Sequence, residues 1–223
     1  MNRLYTIAMF ALVLSGAAFL FQPSQTTGLQ GFGMAHAQTA ESAEIDTSIV
    51  LEKTLGDVNA PLTVIEYASF TCPHCASFHE NTYEEFKANY IDTGKVYFIY
   101  REVYFDRFGL WAGMVARCGE TDRYFAIANL IYQQQATWTK GEDARAVADN
   151  LATIGKTAGL TDTEVDACMQ NADMAQAMIA VYQENAERDQ VQSTPSFIVE
   201  GELVPGNQSY PAFAAILDAK LGE

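Results

Sequence analysis

Two cysteines separated by a proline and a histidine, Cys72-Pro73-His74-Cys75, stand in "FTCPHC" at the end of the apolar run "LTVIEYASF". Thiols at this spacing can form a structural clip, half of a metal site, or a redox pair. Tetrahedral zinc usually takes two such close pairs, whereas Cys118 and Cys168 are single and the histidines are His36, His74 and His79. No metal site is expected. A disulfide across so short a loop would restrict the unfolded chain little, which disfavours a purely structural clip. Chemistry at sulfur is the better fit.

Pro73 suits a first helical position, where its missing N–H costs nothing, and this makes Cys72 the N-cap. A thiol there faces unpaired backbone N–H groups and the positive end of the helix dipole, both of which favour the thiolate. Cys72 is the expected nucleophile. Cys75, one turn on and directed toward the core stripe, is the expected resolving thiol. His74 can add a positive charge or a hydrogen bond, and no acidic residue lies between Ala68 and His79 to oppose the thiolate. Stabilising that thiolate makes the Cys72–Cys75 disulfide a stronger oxidant and Cys72 a better leaving group. No cofactor beyond this disulfide is expected.

The flanking sequence supplies the elements that must hold the pair. Residues 62–70 are β-branched and aromatic and predict a buried strand. The stripe Cys75, His79, Thr82, Phe86 and Tyr90 has helical spacing, and Gly94 ends it. "KVYFIYREV" (95–103) predicts a second buried strand, parallel to the first. Helical patterning then runs through Trp111, Met114, Val115 and Cys118, through Ala144, Val147, Leu151 and Ile154, and into the capping box "TDTE" at 161–164, with further helix about Met174, Met178, Val181 and Tyr182. "PSFIVEG" and "ELVPG" read as a strand pair joined by a turn containing Gly201, and Tyr210–Leu221 as a closing helix. Two α/β stretches, 49–103 and 190–223, therefore flank a helical insertion at 104–189.

At 223 residues the chain is too long for a small disulfide scaffold and can bury a substantial core. Arg3, the apolar stretch Ile7 to Phe21 and the small residues Ala35 and Ala37 in "AHAQ" have the pattern of a signal peptide, with cleavage expected after Ala37. The rival reading is an uncleaved anchor. Residues 38–48 read as a flexible leader. Export would place the chain in the periplasm, an oxidising compartment where disulfides persist. Arg3 is the one charged side chain in 1–37, so cleavage takes the net charge from −15 to −16. Such acidity repels nucleic acid and anionic lipid, and no nucleic-acid partner is expected.

"VIEYASFTCPHC" resembles the active-site strand and helix start of the DsbA family of exported thiol oxidases, and the likeness extends over about residues 49–223, through "FIYREV" and "STPSFIVEG". The resemblance implies a thioredoxin-like α/β fold with an inserted α-helical domain. It implies a cis-proline at Pro195, preceded by Thr194, facing the active pair and leaving backbone groups free for an extended substrate. It also implies that Glu66, six residues before Cys72, is a buried acid serving the proton of Cys75. The alternative for Glu66 is an acid at a strand edge reaching solvent.

Cys118 and Cys168 each lie on the apolar face of an expected helix. They could be buried free thiols, but in an oxidising compartment two such partners would join, and a structural disulfide is expected. A role in tuning the active pair is a lesser option.

The function expected is a periplasmic dithiol oxidase that donates its disulfide to exported polypeptides bearing free thiols. The resemblance adds reoxidation by a quinone-linked membrane oxidase of the DsbB type. The alternatives are a disulfide isomerase or reductase, and a non-catalytic peptide-binding or chaperone module on the same scaffold.

Overall fold

The chain folds around β2 (Leu62–Ala68), the middle strand of a five-stranded sheet ordered β1-β3-β2-β4-β5. The computed structural model describes residues 44–118 and 121–222. The expected signal segment 1–37, its cleavage point, and the leader's first residues, 38–43, lie outside them. Parallel to β2 runs β3 (Val96–Glu102), with Glu66 opposite Tyr100. On its other side β4 (Ser196–Val199) is antiparallel, with Glu66 opposite Phe197. Glu66 is thus flanked by strands on both sides, and the reading of an edge acid reaching solvent is excluded. Alternation along β2 turns Val64, Glu66 and Ala68 to one face and Tyr67 to the other.

A short strand, β1 (Lys53–Leu55), pairs antiparallel with β3. Three residues following a helical turn at Thr47–Ile49 give no periodic signal, and this strand is not legible in the sequence. The hairpin of β4 and β5 (Glu202–Pro205) turns at Glu200 and Gly201, with φ of +48° and +80°. Positive φ at both central residues is what a tight two-residue hairpin with strand-matched twist requires.

Between β2 and β3 the chain is helical from 73 to 91. It begins as α1 (Pro73–Phe78), widens into a π-helical turn at His79–Tyr83, tightens again as α2 (Glu84–Phe86) and widens once more at Lys87–Ile91. Each widened turn shifts the side chains that follow around the helix, so the buried set is broader than a simple 3.6-residue stripe: Cys75, Phe78, His79, Thr82, Tyr83, Phe86, Tyr90 and Ile91 all face inward.

Six helices separate β3 from β4: α3 (Arg107–Cys118), α4 (Thr121–Gln133), α5 (Gln135–Trp138), α6 (Ala144–Thr157), α7 (Asp162–Met169) and α8 (Ala172–Arg188). Their ends are set by sequence. Asp143 and Asn171 cap α6 and α8, and Thr161 and Glu164 form the expected reciprocal capping box of α7. Helices α3 to α7 share one apolar core with the sheet, in which Ile131, Tyr132 and Trp138 join Phe70, Cys75 and Phe98, while Tyr182 of α8 packs on a smaller cluster around Tyr67, Val103 and Ile198. The last helix, α9 (Tyr210–Leu221), drives Phe213 against Phe78, Phe86 and Phe197. Among the described residues no helix is long and apolar enough to cross a membrane.

Candidate active site

Cys72 is the N-cap of α1, in extended conformation at φ −80°, ψ 119°, with Pro73 in the first turn. The approach to it is pinned from three sides. The Cys72 N–H donates to Ser69 O at 3.1 Å, closing a turn. Gln135 on α5, itself buried, donates from Nε2 to Phe70 O at 2.8 Å and to Cys72 O at 2.9 Å. Thr71 Oγ1 donates to Asp106 Oδ2 at 2.7 Å, while the other oxygen of Asp106 accepts from the N–H groups of Phe108 and Gly109 at the start of α3. Neither Gln135 nor Asp106 is marked by a motif.

The two sulfurs are electrostatically opposite. Cys72 is half-buried and held down to a pKa of about 5. A hydrogen bond from the Cys75 thiol is the largest cause, partial burial opposes it, and the Thr194 hydroxyl and the backbone N–H groups of Cys75 and His74 add to it. Cys75 is wholly buried, and burial pushes its thiol far above the usual range. Its bond to Cys72 and the charge of Glu66 push the same way. His74 is exposed and acts on the sulfur through its amide N–H.

Thr194 meets this pair from just before β4, and Pro195 follows it. The bond between them is cis, and Pro195 is buried. In the thiol form Cys72 Sγ donates to Thr194 O at 3.3 Å. The Thr194 hydroxyl is buried with no other hydrogen-bond partner among the described residues, which leaves it available to a sulfur anion.

Glu66 is fully buried on the inner face of β2. Its Oε1 lies 3.0 Å from His79 Nε2, and its Oε2 has no hydrogen-bond partner among the described residues. The His79 ring is stacked between Tyr83 and Tyr132, at centroid distances of 4.6 and 4.2 Å. Tyr132 in turn shares a hydroxyl–hydroxyl bond of 2.6 Å with Tyr100. In the sequence His79 shows only as a position on the helical stripe, four residues after Cys75.

Cys118, at the end of α3, and Cys168, on α7, are joined as a disulfide across a Cα separation of 5.8 Å. Both are half-buried, less than the apolar-face reading implied. Among the described residues no group of three or more His, Cys, Asp or Glu is placed to hold a metal ion.

The thioredoxin family model matches residues 49–219. A curated Rickettsia conorii protein, provisionally named a protein-disulfide oxidoreductase, is 34% identical over 173 residues, which make up 77% of this chain and 61% of the relative. The chain thus spans about three-fifths of the length of the curated relatives it matches. The crystal structure of Wolbachia pipientis alpha-DsbA1 superposes with a TM-score of 0.70 at 25% identity, over 79% of this chain and 96% of that one. Oxidised BdbD from Bacillus subtilis shares the fold, with a TM-score of 0.65 at 18% identity over 77% and 94% of the two chains.

Proposed function

The chain belongs to the DsbA-like thioredoxin-fold family, and from that premise we propose that it is an exported protein-disulfide oxidoreductase working as a dithiol oxidase on polypeptides with free thiols. The observation that carries the reading is the split between the two sulfurs, one acidified to about 5 at a helix start, the other pushed up by burial.

A substrate thiolate attacks Cys72 Sγ, the Cys72–Cys75 bond breaks, and its electron pair passes to Cys75, which takes up a proton. A second substrate thiolate then attacks the substrate sulfur of the mixed disulfide, and Cys72 leaves as a stabilised thiolate. Thr194 and Pro195 line the substrate's path and offer it backbone partners. Glu66 serves the proton of Cys75. Phe105, 58% exposed, adds apolar surface at the loop that Asp106 ties to Thr71. Export to the periplasm and reoxidation by a DsbB-type quinone-linked membrane oxidase complete the proposal.

The test is equilibration of the protein with glutathione buffers, beside a turnover assay with a reduced, unfolded substrate. A dithiol oxidase has a potential near the roughly −120 mV of DsbA and oxidises the substrate; a potential near the roughly −270 mV of thioredoxin makes the protein a reductase. Loss of turnover in Cys72→Ser with substrate binding unchanged supports the redox reading; a wild-type protein that binds the reduced substrate without oxidising it would be a binding module.

A further inference from the structure

We propose that His79 is the relay through which the proton exchanged by Cys75 and Glu66 passes to and from solvent. The inference rests on the reading of Glu66 given above and supplies the step it leaves open. Cys75 and Glu66 are both fully buried, and Glu66 sits between two neighbouring strands, so neither exchanges a proton with water directly. The side chain bonded to Glu66 is His79, through Nε2. His79 also lines a groove of about 430 Å³ together with Ala76, Glu80, Glu84, Tyr132 and Gln133. His79 is therefore bonded to the buried acid and is itself one of the residues lining the groove, with 6% of its side chain exposed.

The chemistry of the neighbours favours this route. An imidazole can accept a proton at one nitrogen and release one from the other. The titratable groups around it are Glu66 from β2, Cys75 one helical turn earlier on α1, Tyr83 from its own π turn, Tyr100 from β3 and Tyr132 from α4, with the carboxylates Glu80 and Glu84 lining the same groove. Tyr83, Tyr100 and Tyr132 are buried and their hydroxyls are held well above the usual range by that burial, so they keep their protons. Stacking between Tyr83 and Tyr132, at 25° and 18°, fixes the plane of the ring.

When a thiolate opens the disulfide, the sulfur of Cys75 receives the bond's electron pair and a proton that Glu66 supplies through an intervening water, since its Oε2 makes no hydrogen bond to the sulfur among the described residues. Glu66 regains a proton from His79, and His79 from the groove. In reoxidation Cys72 first forms a mixed disulfide with a disulfide-bearing oxidant. The proton of Cys75 then runs outward along the same groups, the Cys75 thiolate attacks Cys72 Sγ, and the oxidant's sulfur leaves as a thiolate.

Single-turnover reduction of the oxidised protein by glutathione, followed by tryptophan fluorescence from pH 5 to 8, tests the relay in wild type, His79→Gln and Glu66→Gln. The assay works for oxidase and reductase alike, so it is independent of the potential. Slowing by about 100-fold in both variants, with loss of the wild-type pH profile and unchanged alkylation of Cys72, is the expected result. Loss in Glu66→Gln alone overturns the relay and leaves the role of Glu66 standing; loss in neither overturns both. Should His79→Gln fail to fold, nitrogen NMR of wild-type His79 decides. A ring that titrates and exchanges its proton over this range supports the relay, and one locked in a single neutral tautomer throughout overturns it.

Discussion

Cys72 Sγ and the carbonyl oxygen of Thr194 meet at 3.3 Å although 122 positions separate them in the chain. The helix start and the strand start therefore converge on one sulfur, and the residue before the cis bond takes part in setting its charge. The carbonyl suits the thiol, while the buried Thr194 hydroxyl and the N–H groups of His74 and Cys75 suit the anion.

Replacing that hydroxyl by a methyl group isolates its share. In Thr194→Val the pKa of Cys72 rises from about 5 and the disulfide becomes less oxidising, because the reduced thiolate loses a donor. Thiolate absorbance and a glutathione equilibrium measure both. An unchanged pKa would remove Thr194 from the electrostatics of the site.

Gln135 is the clamp on the strand that leads into the motif. Gln135→Ala leaves Phe70 O without the bond from Nε2, whereas Cys72 O retains the N–H of Ala76 at 3.2 Å. A loss of about 1–3 kcal/mol in denaturant unfolding follows from one buried carbonyl left unpaired. A loss below about 0.5 kcal/mol would show that the turn holds itself.

The pH dependence of stability has a definite sign. The pKa of Cys72 is depressed on folding, so its contribution to the reduced form is complete above the roughly 8.5 of an unfolded thiol and is lost as pH falls through about 5. Cys75 is shifted upward and stays protonated when folded, which costs stability above the same roughly 8.5. Reduced minus oxidised stability should thus climb between those two values and decline beyond the upper one. Parallel melts of both forms check this; a difference that is flat from pH 5 to 8 contradicts it.

The disulfide between Cys118 and Cys168 closes a loop of 50 residues. Cys118→Ala with Cys168→Ala should cost about 4 kcal/mol on the chain-entropy model and lower the melting temperature by about 10 °C, with the pKa of Cys72 unmoved. A shifted pKa would mean that this pair tunes the active one.

What the sequence disclosed here was whatever a local rule governs. Pro73 after Cys72 fixed the helix start, the Thr161–Glu164 box the start of α7, and β-branched runs the strands β2 and β3. Tertiary pairings left no such trace. His79 beside Glu66, Gln135 against Phe70 O and Asp106 against Thr71 join residues from 13 to 65 positions apart, and no spacing rule connects them. The π turn beginning at His79 also escaped a 3.6-residue template, and with it the broader inward face that brings both His79 and Tyr83 into the core.

The central claim is that Cys72 is an anion near neutrality while Cys75 is not. Ultraviolet absorbance of the reduced protein titrated with acid, with Cys75→Ala to assign the signal and with alkylation rates as an independent probe, tests it directly. One thiolate titrating at about pH 5, with the second sulfur silent up to the alkaline limit of the fold, is the predicted result. The variant's titration should move upward, because the bond from the Cys75 thiol is the largest contribution. Two ordinary thiols ionising together near pH 8.5 would contradict the account.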